Sequence, residues 1–170
     1  EEAAPTDAGR PPLNFTAVLD VSGSMRGEKL RQAKAAVLQA VQYLRPGDVF
    51  SLVTFSNQIF VPFDPSPVND GTYQAVQEAL ETISAGGMTA LSQGLETGLE
   101  KARTHLQDTN LALLLSDGQA NVGVTDLEMI GQQAYQARQR GAIVAFARVR
   151  RDVERALYRG GVMDLVGDDR

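Results

Sequence analysis

Short apolar runs alternate with segments of helical periodicity along most of this chain. The runs are rich in β-branched and aromatic residues, which predicts strands, and they cover residues 15–21, 49–55, 58–63, 111–115 and 142–149. Only Ser56-Asn57 separates the second run from the third, so we expect an antiparallel edge strand there. Strands that alternate with helices predict an α/β fold: a mostly parallel, doubly wound (Rossmann-like) sheet with helices on both faces.

Apolar stripes at spacings of three and four residues predict the helices. They cover residues 28–45, 72–84, 91–106 and 125–140, with a short helix at 152–159 and a last short strand at 162–166. The fourth helix opens with a capping box, and residues 64–67 (Asp-Pro-Ser-Pro) predict a loop. Gly94 and Gly98 lie four residues apart in the third stripe, and we expect them to let that helix approach the sheet closely.

The composition suits one domain, since the chain has 170 residues of which 43% are apolar. We expect residues 1–12 to form a linker or disordered N-terminal segment and residues 13–170 to form the domain. The formal net charge of −5 argues against a nucleic-acid binder. The lack of cysteine excludes thiol and disulfide chemistry, and no apolar run approaches the roughly 20 residues of a membrane span.

The chain begins with Glu1 and shows no secretory signal, so we expect a fragment or a processed form. The compartment stays open, with the cell envelope or an extracytoplasmic location favoured over the cytoplasm. We expect the domain to be monomeric.

The first predicted strand ends in the sequence Asp20-Val-Ser-Gly-Ser24, which is rich in polar residues. Gly23 allows a sharp turn, for which a positive φ is one available conformation. The turn can aim Asp20, Ser22 and Ser24 at one point, and their oxygens are hard ligands suited to Mg²⁺, Mn²⁺ or Ca²⁺. The alternative is an ordinary turn whose Ser and Asp cap the next helix.

Two further loops carry Thr89, just before a predicted helix, and Asp117, just after the strongest predicted strand. The carboxyl ends of parallel strands lie at the same edge of a sheet, so Asp20 and Asp117 are expected to be neighbours. Two carboxylates that close repel each other, and a divalent cation removes the conflict. The pattern therefore favours a metal site built from Asp20, Ser22, Ser24, Thr89 and Asp117.

These loops resemble those of a von Willebrand factor type A domain, of the bacterial kind similar to Ca-activated chloride channel homologues. The matching segments are Val18-Leu-Asp-Val-Ser-Gly-Ser-Met25, Gly86-Gly-Met-Thr-Ala-Leu91 and Leu113-Leu-Leu-Ser-Asp-Gly-Gln-Ala-Asn-Val-Gly123. The resemblance covers roughly residues 12–147 and implies a metal-ion-dependent adhesion site. It implies that Ser22 and Ser24 bind Mg²⁺ directly, that Thr89 does so directly or through water, and that Asp20 and Asp117 act mainly through water.

Two departures from the family pattern stand out. Met88 precedes Thr89 where the family often has a Gly or another small residue. Residues 141–170 are atypical, because their sequence resembles the end of a STAS domain, the sulfate-transporter and anti-sigma-antagonist family.

The resemblance implies a non-enzymatic protein-binding module that uses its metal to capture an acidic residue of a partner. One alternative is a scaffold or regulatory domain of an ATPase or transporter assembly, suggested by the tail. Another is a metal-dependent phosphohydrolase with Asp20 as nucleophile, but Ser22 stands where such a site usually needs a second carboxylate. A serine hydrolase would need His105, for which we expect a solvated surface position, and the Gly-x-Ser-x-Gly elbow is absent.

Overall fold

The computed structural model describes residues 10–117 and 124–148, and the chain within them alternates strands with helices. The strands are β1 (Leu13–Asp20), β2 (Val49–Phe55), β3 (Ile59–Pro67), β4 (Thr109–Ser116) and β5 (Ala142–Arg148). The α-helices are α1 (Glu28–Gln42), α2 (Thr72–Glu81), α3 (Leu91–Arg103) and α4 (Val124–Gln139), with a 3₁₀ turn at Gly23–Met25. No helix among the described residues has both the length and the apolar character needed to cross a membrane.

The sheet has the strand order β3-β2-β1-β4-β5. β1 pairs in parallel with β2 and β4, and β4 pairs in parallel with β5. β3 is antiparallel to β2 and forms one edge, which confirms the expected hairpin. It runs on to Pro67, so the loop predicted for residues 64–67 is wrong. Prolines are tolerated there because an edge strand leaves one row of amides without a partner strand.

Side chains alternate between the two faces of β1, which is buried along its whole length. Phe15, Ala17 and Leu19 join the large cluster under α1 and α2. Val18 points to the other face, where it packs with Phe55 and Leu114. A central strand buried on both faces explains why the first apolar run is nearly unbroken.

Helix α3 lies unusually close to the sheet, as the spacing of its two glycines predicts. A Cβ on Gly94 would lie 2.5 Å from Cγ of Phe55, and a Cβ on Gly98 would overlap Cγ2 of Val18. Glycine at both positions thus allows a contact that any larger residue would obstruct.

Asp48 stabilises the amino-terminal end of the sheet by hydrogen bonds to three other residues. Its carboxylate accepts hydrogen bonds from the Arg10 guanidinium at 2.9 and 2.5 Å and from the backbone amides of Leu13 and Arg45 at 2.9 and 2.8 Å. Burial acts to raise the pKa of Asp48, but the Arg10 contact and the two amides outweigh it and hold the pKa below its ordinary value.

Candidate metal-binding site

Two buried aspartates meet at the carboxyl-terminal edge of the sheet. Asp20 is the last residue of β1, and Asp117 directly follows β4. Their exposed fractions are 0% and 3%. The two strands are parallel neighbours, with Leu19 opposite Leu115, so the segments that follow them leave the sheet side by side. The expected convergence of these distant segments is present in the fold.

The loop after β1 folds back onto Asp20. The amide of Ser22 donates a hydrogen bond of 2.9 Å to Oδ1 of Asp20, and the 3₁₀ turn follows at once. Gly23 is not in the left-handed region, whereas Gly27 is, with φ of 76°. The positive φ considered for Gly23 is therefore wrong, because a 3₁₀ turn uses negative φ.

A chain of hydroxyls leads from this loop to Asp117. Oγ of Ser22 lies 3.1 Å from Oγ of Ser24. Ser24 in turn donates to Oδ1 of Asp117 over 3.4 Å. Ser22 is buried and Ser24 is half-buried. Three of the candidate ligands thus form one continuous polar group, and the Ser22 amide connects Asp20 to it.

The Thr89 loop reaches the same place through its backbone. The amide of Gly86 donates to the carbonyl of Val21 at 2.8 Å, and the amide of Gly23 donates to the carbonyl of Gly87 at 3.0 Å. Thr89 is half-buried, two residues beyond this contact, and its neighbour Met88 is 78% exposed. These backbone hydrogen bonds therefore hold the Thr89 loop against the loop that carries Ser22 and Ser24.

Two residues of the site were not identified from the sequence. Nζ of Lys29 donates to Oδ2 of Asp117 at 2.6 Å and to the carbonyl of Ser24 at 3.1 Å. Oγ of Ser116 donates to Oδ2 of Asp20 at 2.7 Å. Lys29 lies in the first turn of α1, and nothing in its spacing from Asp117, 88 residues away, indicates the contact. The expected parallel pairing does not say which residues lie opposite each other, so it did not indicate that Ser116 reaches Asp20.

The chemistry of these donors fits a hard divalent cation. Within residues 10–117 and 124–148, no three His, Cys, Asp or Glu side chains are grouped to hold a metal. The group instead combines two buried carboxylates with serine hydroxyls, all oxygen donors of the kind that Mg²⁺ and Ca²⁺ prefer. The negative charge of two carboxylates at one edge of the sheet attracts a cation, and the ammonium of Lys29 already lies against one of them.

Several of the predicted features lie on residues outside the part of the chain that the structure describes. They are the loop 118–123 and the tail from residue 149, which contains the short helix and last strand expected at 152–159 and 162–166. The STAS-like segment 141–170 lies there from residue 149 onward, while its first residues form β5. The side chains of the capping box in α4 lie there as well. His105 is exposed as expected, with Nδ1 3.1 Å from Oγ1 of Thr104.

The sequence is similar to proteins from bacteria and mammals. It is 34% identical over 118 residues to an uncharacterized protein of Synechocystis sp., a match that covers 69% of this chain and 28% of that protein. It is 33% identical over 136 residues to inter-alpha-trypsin inhibitor heavy chain H1 of Mesocricetus auratus, covering 75% of this chain and 15% of the heavy chain. The chain therefore spans only a small part of the length of these relatives.

Solved structures share the fold. A von Willebrand factor type A protein from Catenulispora acidiphila superposes with a TM-score of 0.67 at 18% identity, covering 92% of this chain and 42% of that one. The vWF domain of the type V pili tip protein Mfa5 from Porphyromonas gingivalis gives 0.59 at 21% identity, covering 70% and 44%. The family model for the von Willebrand factor type A domain matches residues 14–160. The chain belongs to the von Willebrand factor type A domain family.

Proposed function

We propose that this domain binds a divalent cation, Mg²⁺ first among Mg²⁺, Mn²⁺ and Ca²⁺, and uses it to capture an acidic side chain of a partner protein. The observation that carries the proposal is the polar chain from Ser22 through Ser24 to Asp117, at hydroxyl–hydroxyl and hydroxyl–carboxylate distances of 3.1 and 3.4 Å. Domains of this family typically mediate protein–protein interaction or adhesion, and they often bind a divalent metal.

In this proposal the hydroxyls of Ser22 and Ser24 bind the metal directly, and Thr89 does so directly or through water. Asp20 and Asp117 hold it mainly through water. Neutral hydroxyl ligands leave a Mg²⁺ ion short of negative charge, and Mg²⁺ requires six oxygen ligands. A carboxylate from another protein supplies both the missing ligand and the missing charge, so the same metal serves as the binding point.

We propose that the domain is not an enzyme. A phosphohydrolase would need a second carboxylate in the first loop, but that position is Ser22, whose hydroxyl contacts Ser24. We also propose an extracytoplasmic setting, with residues 13–170 as one domain after a linker. The match to residues 14–160 supports that extent, and the pili tip neighbour supports that setting.

Calorimetric titration with Mg²⁺ or Mn²⁺ tests the metal site. We expect one divalent ion per chain and loss of binding in Asp20→Ala and in Thr89→Ala. Thr104→Ala is the matched control, because Thr104 is an exposed hydroxyl at the far end of α3 whose removal should leave binding unchanged. Intact binding in both site variants would refute the site.

A peptide array tests the capture of a carboxylate. Each Glu- or Asp-containing peptide is paired with its Gln or Asn counterpart and probed with the protein in Mg²⁺ and again in chelator. We expect binding that needs both the acid and the metal. Peptides that bind equally well in chelator, or with the amide in place of the acid, would show a surface that works without the metal.

A further inference from the structure

We infer that Lys29 is a tethered counter-ion that competes with the divalent cation for Asp117, so that this lysine sets how tightly the site binds metal. The inference rests on the proposed function, since it assigns a role to a residue beside the proposed metal. Lys29 is the second residue of α1, and its Nζ donates to Oδ2 of Asp117 at 2.6 Å and to the Ser24 carbonyl at 3.1 Å. The ammonium group thus connects two of the three site loops.

Burial gives this contact its importance. Only 2% of the Asp117 side chain is exposed, so its charge is largely deprived of water. A buried carboxylate without a cation or enough donors is strongly unfavourable. The ammonium of Lys29 supplies the positive charge at Oδ2 while Ser24 donates to Oδ1. Lys29 therefore stabilises the metal-free state of the site.

A metal held by Ser22 and Ser24 would place a second positive charge beside this ammonium. The two cations repel each other, and both draw on the charge of the same carboxylate. Lys29 has an alternative that Asp117 lacks, because 37% of its side-chain surface already faces solvent. Its flexible four-carbon stem lets the ammonium move into water. Metal binding accordingly has to overcome the ion pair between Lys29 and Asp117.

Lys29→Met tests the inference in two measurements on the full chain. Calorimetry with Mg²⁺ and with Mn²⁺ should show binding tighter by about ten-fold, because a repelling unit charge has been removed. Thermal unfolding without metal should show a Tm lower by about 3 °C, because the ammonium that contacts the buried carboxylate of Asp117 has been removed. The rise in Tm on adding saturating Mg²⁺ should exceed that of the wild type.

Matched variants separate this effect from others. Lys29→Arg keeps the charge, and we expect an affinity near that of the wild type. Lys29→Gln keeps a donor without the charge, so it should also bind metal more tightly, and it serves if the methionine variant fails to fold. Arg31→Met removes a positive charge two residues along the same helix, from a largely exposed ion pair with Glu28, and should change the affinity by less than about two-fold.

The outcomes distinguish this inference from the proposed function. If the wild type binds Mg²⁺ and the folded Lys29→Met or Lys29→Gln protein binds it equally or more weakly, the competition is wrong and the metal site stands. If the wild type binds neither Mg²⁺ nor Mn²⁺, both proposals are wrong. Equal tightening in Arg31→Met would reduce the effect to general electrostatics and would overturn the specific role of Lys29.

Discussion

Ser116 at the end of β4 donates a hydrogen bond of 2.7 Å to Oδ2 of Asp20 at the end of β1. The other carboxylate oxygen accepts from the amide of Ser22 at 2.9 Å. Asp20 is therefore held from two sides, by the neighbouring strand and by its own loop. Its orientation depends on the pairing of β1 with β4 as well as on the motif in which it stands.

Ser116→Ala should weaken Mg²⁺ binding by about ten-fold, because groups that orient metal-binding residues typically contribute at least that much. The loss of unfolding free energy should be only about 1 kcal/mol. Calorimetry and denaturant unfolding measure the two effects. Ser51→Ala is the control, since Ser51 also donates a hydroxyl hydrogen bond across the sheet, 2.9 Å long to Thr16 in the buried interior, and its loss should lower stability without altering metal affinity. Equal metal binding in both variants would show that Ser116 does not position Asp20.

Gly87 and Gly86 provide a matched pair for the Thr89 loop. Gly87 has φ of 77°, and a Cβ there would overlap Oδ1 of Asn57, whereas a Cβ on Gly86 would meet nothing within 4 Å. Gly87→Ala should displace the carbonyl that receives the Gly23 amide and reduce metal affinity by about ten-fold, with a stability cost of about 1–2 kcal/mol. Gly86→Ala should leave metal affinity within about two-fold of the wild type. Calorimetric titration of both variants decides, and similar losses in the two would remove the special role of Gly87.

The close approach of α3 to the sheet predicts opposite effects of alanine in two helices. Gly98→Ala should lower the free energy of unfolding by about 1–3 kcal/mol, because the added methyl group overlaps Val18 in a packed interior. Gly131→Ala in α4 should raise it by about 0.5–1 kcal/mol, since nothing lies within 4 Å of the new Cβ and alanine favours helix. Urea unfolding compares the two. A stabilised Gly98→Ala protein would contradict the close contact.

The carboxylate of Asp48 should make the free energy of unfolding depend on pH in the acid range. Its pKa in the folded state lies below the ordinary value, because its hydrogen bonds and Arg10 outweigh the effect of burial. The stabilisation is thus complete above the unfolded-state pKa of about 3.9 and is lost as the pH falls through the folded-state pKa. Asp48→Asn should cost about 2–4 kcal/mol at pH 7, because it removes the buried negative charge that pairs with the Arg10 guanidinium, and it should flatten the fall in stability below about pH 4.

Asp64→Asn is the control for this pH dependence. Asp64 pairs with Lys101 at 2.8 Å, but its side chain is 72% exposed. The change should therefore alter stability by less than about 0.5 kcal/mol at any pH. Denaturant unfolding between pH 3 and pH 7 measures both variants. If the stability of Asp48→Asn falls as steeply below about pH 4 as that of the wild type, other groups cause the acid sensitivity.

Local patterns predicted most of the element positions. The β2 range of Val49–Phe55 agrees with the predicted run, and α3 begins at Leu91 as expected. The ends of helices were less accurate, since α1 stops at Gln42 and not at residue 45. The apolar stripe continues to Leu44, which is buried outside the helix, so burial alone did not mark where the backbone leaves the helical conformation.

The sequence by itself determined the layered fold and the placement of Asp20 and Asp117 at one edge of the sheet. Both follow from patterns along the chain: burial periodicity, and the rule that parallel strands end at one edge. Only the tertiary structure decided which groups surround those carboxylates. Ser116 reaches Asp20 through the register of two strands, and Lys29 reaches Asp117 from a helix 88 residues away. Such contacts depend on side-chain direction and on distances between elements, and no spacing along a single chain encodes either quantity.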